Sequence, residues 1–285
     1  MKPLIDGDIL LYECGFAAEY KDEDSGEKVA KAFEDAAEIL DRRIEEICEA
    51  IGATDSPLLF LTGDERLLKD VNRQRGRSGE APLEWKPNFR FEVAKSTPYK
   101  ERKGEKPFHY YNLRAYVLFK YEVSIYWGME ADDGLAIYTT QSEDQDCCIC
   151  SRDKDLRMIP GWHYGWECGN QPEFGPELVD EIGWIDNKGK GVGLKFFYAQ
   201  LIMGDKVDTI PGLPGGGPAK AYKTLASCET EEEMYEKVSL LYEEKIGPDW
   251  FDYFTEQANL LWMVREVSEE GDPILFVPPI HRQVS

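Results

Sequence analysis

Short apolar runs alternate with amphipathic helical stretches along this chain, and the runs end in aspartate; that order constrains the fold more than any other feature. Pro3-Leu4-Ile5 reads as a strand ending in Asp6, with Asp8 placed to cap the following helix. Residues 28–51 read as one long helix, because Phe33, Ala36, Leu40, Ile44, Ile47 and Ile51 recur at spacings of three and four before Gly52. Leu58-Leu59-Phe60-Leu61 is a second strand leading to Asp64, and Cys147–Cys150 another leading to Asp153 and Asp155. Between them lie a helical pattern over 111–121, a strand at Val123–Tyr126 and a helix opened by Glu130-Ala131-Asp132-Asp133. Such alternation predicts an α/β protein with a mostly parallel sheet, in which sites gather beyond the carboxyl ends of the strands. A single aspartate at a strand end is ordinary. Several of them, beside a helix opened by three acids, would converge on one rim.

Composition narrows the function classes. The 285 residues are 42% hydrophobic and 12% aromatic, enough for a packed core, and no apolar run approaches the roughly 20 residues of a membrane span. The acids at positions 6 and 8 interrupt any signal-peptide core, so a soluble, cytoplasmic protein is expected. The seven cysteines are odd in number, and three of them sit within one apparent strand; reduced structural thiols fit better than disulfides or zinc. The net charge of −22 is uneven: residues 66–106 hold twelve Lys/Arg against six Asp/Glu, leaving −28 on the remainder. That basic excursion reads either as a solvated loop or as a local phosphate-binding surface. Residues 229–270 hold thirteen acids against three bases on two helical patterns, and a solvated outer face is the simpler reading.

Carboxylates gathered without histidine raise one another's pKa and call for cations, and all-oxygen ligands favour Mg²⁺ or Mn²⁺. Two ions about 4 Å apart suit phosphodiester hydrolysis. A second clue follows the helix over 192–203: Gly204-Asp205-x-x-Asp208 precedes a glycine-rich turn, Gly212-Leu213-Pro214-Gly215-Gly216-Gly217-Pro218, which opens another helix. Such a turn can present backbone N–H groups to phosphate irrespective of base sequence, although a plain helical corner would look similar.

In this order the motifs resemble the flap endonuclease / 5′-to-3′ exonuclease family: Asp6-Gly7, Gly63-Asp64, Tyr99-Lys100, Glu130-Ala131-Asp132-Asp133, Asp153-x-Asp155, Gly204-Asp205-x-x-Asp208 and the glycine turn. The match spans roughly residues 3–226 and is most like the stand-alone tailed-phage exonucleases. It implies a PIN-like nuclease core over 1–190, including an arch region over 65–125, and a 191–285 portion with a helix–three-turn–helix DNA clamp and acidic helices packed on the core. It implies two divalent ions, Mg²⁺ or Mn²⁺, with Asp6, Asp64 and Asp132 serving the first. Asp153, Asp155, Asp205 and Asp208 would serve the second, with Glu130 and Asp133 in support. Lys100 would contact the scissile phosphate, aided by Arg102 or Lys103, which depart from the usual Tyr-Lys-x-x-Arg spacing. Gly212, Gly215, Gly217 and Lys220 would hold the duplex backbone, with K⁺ on loop carbonyls. The activity implied is two-metal 5′-to-3′ exonuclease or 5′-flap cleavage of duplex DNA, extending to RNA of RNA–DNA hybrids, in phage replication or recombination. One alternative accounts for part of the pattern: Asp6-Gly7-Asp8 also resembles a haloacid-dehalogenase-type phosphatase with Asp6 as nucleophile and Asp8 as general acid.

Overall fold

The computed structural model describes residues 1–23, 25–100, 104–142 and 146–282. From the N-terminus, β1 (Lys2–Asp6) runs into α1 (Gly7–Ala17), and a hairpin of β2 (Glu19–Lys21) and β3 (Lys28–Ala30) precedes α2 (Phe33–Ala50). Next come β4 (Leu58–Thr62), α3 (Glu65–Arg77), the single-turn α4 (Arg90–Val93), α5 (Tyr110–Lys120), β5 (Glu122–Tyr126), α6 (Ala131–Gln141) and β6 (Cys147–Cys150). β7 (Gly161–Gly165), β8 (Phe174–Val179) and the short pair β9 (Trp184–Ile185) and β10 (Gly191–Val192) follow. Four helices complete the fold: α7 (Gly193–Met203), α8 (Pro218–Leu225), α9 (Glu231–Ile246) and α10 (Trp250–Leu261).

The six-stranded sheet has the order β5-β4-β1-β6-β7-β8, parallel throughout except for β8 against β7. Its centre is the register Leu58–Leu4–Ile149 across β4, β1 and β6. Both faces are covered, which is why Cys147–Cys150 is buried along its whole length; its cysteines form no disulfide. On one face Ile5 and Leu59 meet Leu10, Leu40, Ile47 and Leu113 from α1, α2 and α5. On the other, Leu4 and Phe60 meet Leu135 and Ala136 of α6. A third core joins α7, α9 and α10 through Phe197, Val238, Phe254 and Trp262, and reaches back to Tyr99 and Met158. No described helix is long and apolar enough to cross a membrane.

Three local expectations change. The helix expected over 28–51 begins at Phe33, because Lys28–Ala30 pairs with Glu19–Lys21 and only from Phe33 onward does an apolar stripe exist to bury. The basic excursion is largely ordered at its start: α3 buries Leu67 and Leu68 and turns its cations outward. Asp8 does not cap α1. Asp6 does, accepting from the Ile9 amide at 3.1 Å, while Asp8 accepts from the Thr62 amide at the end of β4.

Candidate active site

The acids arrive at one rim through different local devices. Asp6 terminates β1 and is held by the Ile9 amide and by the Ser151 hydroxyl, which donates to its second oxygen at 2.7 Å. Glu130 is the N-cap of α6, forming a capping box with Asp133, and this turns Asp132 outward from the first helical turn. After β6, the Asp155 amide donates to Asp153 at 2.8 Å and curls the chain so that both carboxylates face the same space. Asp205 follows Gly204, whose φ of +73° ends α7, and it accepts from the Val207 amide at 2.7 Å.

Together these form two adjoining clefts at the carboxyl edge of the parallel strands. The inner one is lined by Glu130, Asp132, Asp153, Asp155, Asp205 and Asp208. The outer one, about 380 Å³, shares Asp132 and Asp153 and adds Asp6, Asp8, Tyr12 and Phe16. Lys100 lines both clefts. It adopts a φ of +48°, uncommon outside glycine, as does Thr209 at +63°; the Lys100 amide donates to the Asp208 carbonyl and the Thr97 hydroxyl to the Thr209 carbonyl.

Burial raises the pKa of Asp6 and, helped by the neighbouring charges of Asp6 and Asp153, raises that of Asp132 well above the usual carboxylate range. Burial likewise pushes Asp153 up to about 7, with Asp155 beside it, and Asp8 to about 7. Asp205 goes the other way: burial is outweighed by the hydrogen bond from Lys154, and its pKa falls. Asp208 is raised by burial despite the opposing charge of Lys100. Lys154 reaches Asp205 at 2.5 Å and Asp155 at 2.7 Å, and Lys100 reaches Glu130 at 2.7 Å.

The donor set fits hard divalent cations: it is made wholly of carboxylate oxygens, several with pKa values raised by burial and mutual repulsion that cations would relieve. Among the described residues, three or more such groups do not already converge on a single point. Lys100 and Lys154 stand between the acids, so an ion bound by Asp155 and Asp205 requires the Lys154 ammonium to withdraw. Its side chain is 54% exposed and has solvent to withdraw into.

The rim thus unites Asp6, Glu130, Asp132, Asp153, Asp155, Asp205, Asp208 and Lys100, but three expected residues are placed otherwise. Asp64 is not among the residues lining either cleft: one oxygen caps α3 through the Leu67 amide and the other accepts from Arg114 at 2.7 Å. Asp133 is wholly buried and bound on both oxygens by Arg90, at 2.6 and 2.8 Å, so it acts as scaffold rather than ligand. Gly212 cannot offer its backbone to a duplex, because its amide donates to Gln257 and its carbonyl accepts from Tyr253. It is wedged against Gly204, where an added Cβ would lie 2.3 Å from the Gly204 nitrogen. Arg102 and Lys103 lie outside the described residues. Gly215 and Gly217, by contrast, are open to their surroundings, and Gly217 precedes α8 with no side-chain cap, leaving first-turn amides facing outward. Lys220, one turn into α8, is half-buried.

Several residues escaped the sequence reading. Arg90 looked like one more base in the excursion, yet it donates to the Leu260 and Trp262 carbonyls as well as to Asp133. Gln200 donates to Asp155 at 2.6 Å from α7. Tyr12 and Phe16 share a face of α1 at a spacing of four, which could have been noticed.

No family model matches the sequence. DNA polymerase I of Rhizobium leguminosarum is 31% identical over 117 residues, which is 39% of this chain and 11% of that protein. DNA polymerase I of Bacillus caldotenax is 30% identical over 141 residues, 47% of this chain and 15% of that protein. The chain therefore matches only a small part of the length of these curated relatives. Among solved structures, a bacteriophage T5 flap endonuclease in a pseudo-enzyme–product complex with DNA and metal ions superposes with a TM-score of 0.52 at 17% identity, covering 91% of this chain and 92% of that one. A T5 structure co-crystallised with metal ions gives 0.53 at 14% identity, covering 92% and 89%. The chain has the flap endonuclease fold.

Proposed function

We propose, from a flap endonuclease fold whose strand ends gather seven acids and a lysine on one rim, that this protein is a divalent-metal-dependent 5′-to-3′ exonuclease and 5′-flap nuclease. The observation that carries the reading is the pair of clefts sharing Asp132 and Asp153, since one shared wall of carboxylates is what two neighbouring ions need. Mg²⁺, or Mn²⁺, would be held by Asp6, Asp132 and Asp153 on one side and by Asp155, Asp205 and Asp208 on the other, with Glu130 supporting. When bound, the ions supply the charge neutralisation and water activation that phosphodiester hydrolysis demands.

The chain's own groups position the substrate. Lys100, fixed by its left-handed backbone and by Glu130, meets negative charge on the transferring phosphate. Tyr12 and Phe16 offer ring faces beside the acids, where an unpaired terminal base can stack whatever its sequence. The amides at Gly215 and Gly217, the N-terminus of α8 and Lys220 hold the duplex backbone, and K⁺ on carbonyls of this loop would strengthen that grip. Contacts to backbone alone accommodate RNA–DNA hybrids as well as duplex DNA, and a role in phage replication or recombination fits this substrate class. Residues 1–190 then form the nuclease core with its 65–125 arch, and 191–285 the clamp and acidic helices packed on it. The phosphatase alternative is disfavoured because it leaves Asp132, Asp153 and the Asp155–Asp205–Asp208 group without a task.

The test is digestion of a linear duplex labelled at the 5′ or the 3′ end, with Mg²⁺ or EDTA, beside p-nitrophenyl phosphate. Early, Mg²⁺-dependent release of the 5′ label alone is expected. Intact DNA with hydrolysed p-nitrophenyl phosphate would overturn the reading in favour of the phosphatase.

A further inference from the structure

The acidic stretch that reads from sequence as a solvated face carries an apolar groove. Along α9, Glu232, Tyr235, Glu236, Ser239, Leu240 and Glu243 lie on one side at spacings of three, four and seven; Trp250 and Phe251 open α10 opposite them, and Ile280 closes the end. The groove encloses about 520 Å³. Leu240 is 57% exposed, Phe251 41% and Ile280 65%. Single exposed apolar side chains are ordinary, whereas several facing one concavity mark an interaction site. On its wall the Ser239 hydroxyl oxygen is buried and has no hydrogen-bond partner among the described residues.

The rim decides what kind of partner fits. Three glutamates line the groove, no Lys or Arg does, and His281 is its sole basic side chain. Nucleic acid and anionic lipid are repelled by such an edge. A second copy of this chain has little to offer: its most basic helix, α3, buries Leu67 and Leu68 and presents no free apolar stripe. From Glu232 to Glu243 the wall is roughly 16 Å long at ~1.5 Å per residue, about three helical turns.

We propose that this groove docks a basic amphipathic helix of a partner protein, whose apolar side chains enter among Leu240, Trp250, Phe251 and Ile280 while its Lys and Arg meet Glu232, Glu236 and Glu243. This is recognition of a helix in a groove, with apolar contact supplying affinity and the charged rim fixing orientation. It shares no lining residue with the carboxylate clefts and does not depend on what they do.

The experiment uses the full chain and a fluorescein-labelled 14-residue helical peptide with leucine at positions i, i+3, i+4 and i+7 and lysine elsewhere, followed by anisotropy. A peptide of the same composition in scrambled order controls for simple charge attraction, and Glu45→Lys, on the exposed face of α2, controls for net charge with a larger change (+2) than either groove variant (+1). The patterned peptide is expected to bind at least tenfold tighter than the scrambled one. Leu240→Lys and Phe251→Lys are each expected to weaken it tenfold or more, against less than twofold for Glu45→Lys, with circular-dichroism melting unchanged in all three. Equal binding of the two peptides, or equal losses from groove and control variants, would overturn the proposal. So would sedimentation showing a dimer that Leu240→Lys dissociates, which would assign the groove to a second copy.

Discussion

The two halves of the carboxylate rim solve the same electrostatic problem differently. Asp6 is buried and Asp132 and Asp153 are half-buried, none with an ammonium in hydrogen-bond contact, and desolvation together with their mutual repulsion raises their pKa values. Asp155 and Asp205 are bridged by Lys154, and there the pKa of Asp205 falls instead. One half therefore behaves as a cation-deficient site and the other as a site already carrying a cation on a hinged stem. A divalent ion entering the first half would displace protons, and one entering the second would displace an ammonium.

Experiments can break this contrast, from the largest effect downward. Asp132→Asn should reduce release of a 5′ label on the order of a thousandfold, the scale seen when a group stabilising transition-state charge is lost. In EDTA at pH 8 the same variant should melt at a higher temperature than the parent, because a neutral amide ends the repulsion. A lower melting temperature would remove the cation-deficient description of that half. Its neighbour supplies the opposite control. Arg90→Met leaves Asp133 buried and unpaired, which should cost about 3–5 kcal/mol in urea unfolding, with or without Mg²⁺.

The pH dependence follows from the same shifts. Asp8 and Asp153 have folded pKa values of about 7 against an ordinary 3.8. Their stabilising contribution is fully present below the unfolded value and is lost as pH rises through about 7. The melting temperature in EDTA should therefore drop between pH 5 and pH 8, and Mg²⁺ should raise it more at pH 8 than at pH 5. A flat profile in scanning calorimetry would contradict this. The smallest effect is expected from Lys154→Ala, whose half-exposed ion pairs are worth about 1 kcal/mol or less. Mn²⁺ titration followed by electron paramagnetic resonance should show the weaker of two binding events tightening in this variant. Unchanged or weaker binding would mean that Lys154 does not compete there.

Much of the rim was legible because strand–helix alternation dictates where carboxyl ends lie, and Asp132, Asp153, Asp155, Asp205 and Asp208 stand beside motifs that keep them there. Pairings that only the tertiary fold creates were not legible. Lys154 meets Asp205 across 51 positions, and Arg90 meets Asp133 across 43, so neither partner carries a local signature. The last two strands of the sheet, β7 and the edge strand β8, were missed for a different reason. Gly161-Trp162-His163-Tyr164-Gly165 has no uninterrupted apolar run, and it holds its place through ladder bonds to β6 and a buried His163 that hydrogen-bonds the Ile159 carbonyl. Gly212 misled because glycine in a turn suits both close approach to a ligand and close packing of the chain on itself; its neighbour proved to be Gly204.

The Arg90–Asp133 tie sets an order of events during synthesis. Its guanidinium also holds the Leu260 and Trp262 carbonyls, and Asp133 accepts from the Val264 amide, so the helix that aims Asp132 is anchored by residues more than a hundred positions downstream. Contacts at such separations form late. A nascent chain stalled before residue 260 would carry every acid of the rim and the Arg90–Asp133 pair itself, but none of the downstream carbonyl and amide groups that hold that pair in place.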